Sequence, residues 1–94
     1  MWLRVHENMY NLDNIRSMIF NYKNHCDDPE ESNVNSVCIE FNNGESTVRY
    51  FKNMHELFNK VFKLSWYYNK CYFLPIIRYC GSFNYIRLVY LFNT

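Results

Sequence analysis

The stretch "SVCIEFNNGESTVRYF", Ser36 to Phe51, constrains this chain more than any other. Val37, Ile39 and Phe41 alternate with Cys38 and Glu40, the period-two pattern of a half-buried strand. Asn43-Gly44 supplies the positive φ of a tight turn, and Thr47–Phe51 returns as the partner strand, with Val48 and Tyr50 sharing a face. Directly afterwards "NMHELFNKVFKL" begins a helix. Asn53 is placed to cap it and Glu56 stands three residues on, as a capping box needs. Met54, Leu57, Phe58, Val61 and Phe62 form an apolar stripe at helical spacing. The stripe can stop near Leu64 or run on to about residue 73, before Pro75.

Other segments are weaker. Trp2–Val5 reads as a short first strand, and residues 6–11 as a polar turn. Ser17–Tyr22 reads as a second strand after a turn at Asp13–Asn14, although Leu12, Ile15, Met18 and Ile19 also fit a helical face. Asn24–Ser36 is loop, with four acids and almost nothing to bury. The expected fold is α+β, one domain over residues 1–94. An antiparallel sheet of about four strands packs on one helix through Leu3, Val5, Ile19, Val37, Ile39, Phe41, Val48 and Tyr50. Residues 65–94 then add an aromatic hairpin around Gly81, or a helix from Asn84.

That tail, "SWYYNKCYFLPIIRYCGSFNYIRLVYLF" and two more residues, holds ten of the nineteen aromatic rings. Six are tyrosines and one is tryptophan, residues that prefer one end wet. It carries Lys70, Arg78 and Arg87 and no acid, whereas residues 1–64 carry seven basic and nine acidic side chains. The whole chain is at +1, too weak a field to mark a nucleic-acid binder by charge. The arginines interrupt every apolar run, so no membrane span is expected. The N-terminus lacks the pattern of a secretory signal, so a cytoplasmic protein with reduced thiols is expected.

Chemistry is sparse. Cys26, Cys38, Cys71 and Cys80 form no C-x₂-C pair, and no zinc or other cofactor is expected. No nucleophile elbow or HExxH motif occurs, and two glycines are too few for a phosphate-cradling loop, so no enzyme is expected. Asp27, Asp28, Glu30 and Glu31 read as a solvated loop, or as a mimic of phosphates facing a basic groove. In the tail, Trp66, Tyr67, Tyr68, Tyr72, Arg78, Tyr79, Tyr85, Arg87 and Tyr90 are the types found at binding hot spots. The tail fits core or dimer contact, a partner-protein surface, or a stacking platform for single strands.

The chain has fourteen Asn, no Ala and no Gln, the residue usage of an AT-rich gene in a low-GC bacterium, its phage or a eukaryotic DNA virus. "WLRV", "YNLDNI", "IEFNNG" and "VRYFKNMHELFNKV" resemble small proteins of low-GC Gram-positive bacteria and their phages over residues 1–64. The resemblance implies a four-stranded antiparallel sheet followed by one helix, and no catalytic residue. In size and style it extends to anti-CRISPR proteins. The expected function is a non-enzymatic inhibitor that blocks a host defence nuclease, or its nucleoprotein effector complex, by steric occlusion. The alternatives are a single-strand-binding accessory protein and a homodimeric structural protein.

Overall fold

The computed structural model describes residues 1–24, 35–80 and 83–92, without the side chains of 23, 24, 75–80 and 83–86. β1 (Trp2–Val5) and β2 (Asn8–Asn11) form a hairpin of their own. A 3-10 turn at Leu12–Asn14 leads into β3 (Ile15–Asn24). β4 (Asn35–Phe41), β5 (Ser46–Phe51), α1 (His55–Trp66), β6 (Cys71–Cys80) and β7 (Phe83–Phe92) follow. The main sheet has the order β5-β4-β3-β7-β6, antiparallel throughout. No described helix is long and apolar enough to cross a membrane.

The α+β class stands, with a different distribution of strands. β1 does not join the main sheet. It pairs with residues 8–11, which the polarity of 6–11 had hidden as a turn. The turn is the dipeptide His6-Glu7, and His6 takes a φ of +54° that few side chains adopt. Its ring lies on Phe51 at 4.1 Å and its Nε2 meets the Tyr50 carbonyl at 2.9 Å, which holds the strained backbone in place.

The tail is a hairpin, and β7 lies beside the central strand β3. Residues 1–64 therefore hold only three of the five strands, and the tail completes the sheet. Pro75 does not stop a helix. It sits opposite Leu88 in the edge strand β6, where a missing N–H costs no ladder bond on the open side.

The β4–β5 turn uses Gly44 alone at positive φ, +90°. Its N–H donates to the Phe41 carbonyl at 3.0 Å and Phe41 N–H donates to the Glu45 carbonyl at 2.8 Å. That is a type I turn closed by a left-handed residue, a three-residue loop rather than the two-residue one the dipeptide suggests. Asparagine side chains make the same short turn at three of the described positions. Asn11, Asn43 and Asn53 accept from the N–H two residues on, at 3.1, 2.9 and 2.9 Å. At Asn53 this satisfies the His55 N–H, but the N-cap position is Met54 rather than the expected Asn53, so the capping box does not form. Glu56 lies 3.7 Å from Lys60 instead, one turn along the helix.

β3 sets the core register. Met18 and Phe20 are fully buried, with Val37 and Ile39 beside them. α1 covers this side with Leu57, Val61 and Leu64. Each such burial stabilises by about 1.5–3 kcal/mol. The β1–β2 hairpin closes the same side through Leu3 and Val5. The expected inner positions Ile19, Val48 and Tyr50 fall on the other face. Ile19 pairs with Cys38 and Cys38 with Val48, one residue out of step with Met18, and Val48 and Tyr50 are exposed. Side chains alternate across a strand, so a shift of one residue changes the face.

Candidate functional site: an exposed aromatic corner

Three consecutive rings end α1. Trp66, Tyr67 and Tyr68 are 71%, 72% and 57% exposed, more than any core position needs. Their placement follows from the helix. Phe58, Phe62 and Trp66 recur every four residues, so they stand one above another on one face. Phe58 and Phe62 stack at 6.3 Å and 22°, Phe62 and Trp66 at 6.2 Å and 14°. The row begins in the core, where Phe58 meets Phe20, Tyr22, Phe73 and Tyr90 edge-on, and ends in solvent at Trp66.

The chain leaves the helix through a fixed turn. Tyr67 N–H donates to Lys63 O at 2.8 Å, and Lys70 N–H reaches back to Leu64 O at 2.9 Å. Asn69, at φ +52°, makes that reversal in the left-handed region that asparagine tolerates. Lys63 and Lys70 are exposed and flank the rings in the sequence. Large amphipathic rings with nearby cations are hot-spot chemistry, because little side-chain entropy is lost when they are buried by a partner.

The other expected site residues divide. Tyr72 is exposed but points from the opposite sheet face, with Leu91 as its β7 neighbour. Arg87 is half-buried on that face, its Nε donating to Asn21 Oδ1 at 3.2 Å. Tyr90 is corrected outright. It pairs with Met18 and Phe73 on the helix side and is fully buried. The side chains of Arg78, Tyr79 and Tyr85 lie outside the described part, as do Asp27, Asp28, Glu30 and Glu31. Phe62 was legible as helix stripe, but its half-exposed place in the ring row was not.

Among the described residues, the buried Tyr90 hydroxyl has no hydrogen-bond partner. Its closest ring neighbours are apolar, with Phe73 at 4.9 Å and Phe20 at 5.7 Å. An orphaned buried hydroxyl costs about 1–3 kcal/mol. Tyr90→Phe is therefore expected to stabilise the protein by about 1 kcal/mol, read as a higher urea midpoint at unchanged slope.

The two described thiols, Cys38 and Cys71, are both raised above the ordinary cysteine value. Burial pushes the Cys71 thiol up to about 11, with its Sγ 3.9 Å from Val61 O. Burial and the nearby Glu40 carboxylate also raise Cys38, against a smaller lowering by Arg87. Burial likewise raises Tyr90. These groups are held neutral by the fold, whereas an unfolded cysteine ionises from about pH 8.5. Ionisation thus favours the unfolded chain. The stability is full below about pH 8.5 and falls as pH rises towards 11. A melting series should decline through that window, and Cys71→Val should flatten it.

Two clefts of nearly equal volume, 570 and 560 Å³, flank the β1–β2 hairpin, so size singles out neither. One is bounded by Trp2, Tyr10, Asn42 and Glu45, the other by Arg4, His6, Glu56 and Lys60. Among the described residues no three His, Cys, Asp or Glu side chains converge as metal ligands do. No protein-family model, curated protein or solved structure compared with the chain gives a match.

Proposed function

We propose that this is a non-catalytic protein-binding protein that works by covering a surface of its partner, with Trp66, Tyr67 and Tyr68 as the anchors. The observation that carries the reading is their shared exposure on a braced turn, continuous with a ring row rooted in the core. Rings presented from a rigid element bind without first being ordered. The partner class is the one the sequence suggests: a defence nuclease or its nucleoprotein effector complex, occluded in the cytoplasm of a host cell. The AT-rich coding of the chain and the likeness of residues 1–64 to small phage-borne proteins support that choice.

The test mixes the purified full chain with effector complexes of bacterial defence systems and follows co-elution and target cleavage. A stable complex with reduced cleavage is expected. Undiminished cleavage with no complex sinks the reading. Lys63 and Lys70, flanking the rings in the sequence, give a second reading, a stacking site for single strands. It predicts binding to oligonucleotides that weakens steeply with salt.

A further inference from the structure

The side of the main sheet away from α1 carries its own apolar row. Strand register aligns Val48, Cys38, Ile19, Val89 and Leu74 across all five strands. The row's ends, Val48 and Leu74, are 43% and 44% exposed. Tyr72 and Leu91 extend it on one side, and Tyr50 stands at the far corner. The described elements outside the sheet, α1, the β1–β2 hairpin and the 3-10 turn with its Leu12, pack on the opposite face.

We propose that this face is where a second copy of the chain docks, sheet against sheet. Two observations favour a copy over a foreign protein. The first is area. A face five strands wide and seven residues long measures roughly 24 by 23 Å at ordinary strand spacing. That is about 550 Å² per copy in projection and more when corrugated, so a pair passes the roughly 1,000 Å² a specific interface needs.

The second is charge. Glu40 lies one strand to one side of Ile19 and one row above it. Arg87 lies one strand to the other side and one row below. The diagonal from Tyr50 through Ile19 to Tyr72 runs perpendicular to the Glu40–Arg87 line at ordinary strand dimensions. A two-fold axis along that diagonal sets Ile19 on Ile19 and each Glu40 over the Arg87 of its copy. Such self-complementarity is what an isologous interface requires. Both bonds that Glu40 accepts, from Arg16 at 3.3 Å and Ser17 at 2.8 Å, fall on Oε2. The strands of the two sheets then cross steeply, as in orthogonal sheet packing.

The test is mass by light scattering over about a hundredfold range of concentration. The wild-type chain is expected to be dimeric, and Leu74→Glu, at an exposed edge position, to weaken the dimer about tenfold or more while the subunit stays folded, read as an unchanged circular dichroism spectrum. Glu40→Arg and Arg87→Glu should each give monomers. Mixed together, they should recover a heterodimer, because every facing pair is then of opposite sign. Trp66→Ala should leave the dimer intact, so this inference and the partner-binding reading fail separately. A wild-type monomer throughout, or a dimer indifferent to Leu74→Glu, overturns the proposal. So does a mixture of the two charge variants that stays monomeric while both remain folded.

Discussion

Replacing Phe58 by alanine is expected to remove about 3–5 kcal/mol of stability, the range for deleting a large ring from a packed cluster. Exposure alone would not single it out, since Phe58 is only partly buried. Its position does. It touches Phe20 at 5.5 Å, Tyr90 at 5.8 Å, Phe73 at 6.2 Å and Tyr22 at 6.4 Å, rings from three strands of the sheet. Each edge-on pair adds about 0.5–1.5 kcal/mol beyond area burial. A domain of this size holds about 5–15 kcal/mol in all, so the variant loses from about a fifth to all of it. The melting temperature should fall on the order of 20 °C. Phe62→Ala is the control. That ring stacks on the same Phe58 but is 39% exposed, and its loss should cost under about 1 kcal/mol. A Phe58→Ala loss as small as that of Phe62→Ala would mean that α1 is held by its Leu57–Val61–Leu64 stripe alone.

The same cluster explains what the sequence could and could not reveal. The β4–β5 hairpin and α1 were legible because their signals are local. Alternation, Asn43-Gly44 and a helical apolar stripe are all properties of neighbouring residues. β6 and β7 were ambiguous because both sides of each strand carry apolar residues, which erases the period. Face assignment failed for a related reason. Met18, Ile19 and Phe20 are consecutive and apolar, so nothing local says which two of them point inward. The answer comes from pairing, since Met18 and Phe20 align with Ile39 and Val37 beneath α1. Tyr90 was misjudged in the same way. A tyrosine hydroxyl argues for a wet edge, but the register against Met18 and Phe73 places it at the centre of the core. At the site, residue type identified Trp66, Tyr67 and Tyr68. Their separation from Tyr72 by a whole sheet depends on where α1 ends and β6 begins, which the continuous run of rings conceals.

Removing the corner should therefore cost binding and nothing else. The triple variant Trp66→Ala, Tyr67→Ala, Tyr68→Ala is expected to keep its melting temperature, because rings 57–72% exposed bury little on folding. Only the Phe62–Trp66 stack is lost, at the solvent end of the row. Binding to the partner should fall by about 2–4 kcal/mol, roughly 30- to 1,000-fold in affinity, the scale of hot-spot truncation. Titration calorimetry or a pulldown with graded bait concentration reads the loss, and native-like melting of the same sample excludes unfolding as its cause. Trp66→Phe should retain part of the affinity, since it keeps a ring in the stack but gives up the indole N–H. The single variants are expected to sum to less than the triple, because each remaining ring still shields its neighbours from water. If a partner complex forms and the triple variant binds it as tightly as the wild type, the corner is not the anchor. Contact would then have to run through another face. If the loss appears instead with single-stranded oligonucleotides, and scales with salt, the rings act as a stacking platform and the protein-partner reading gives way.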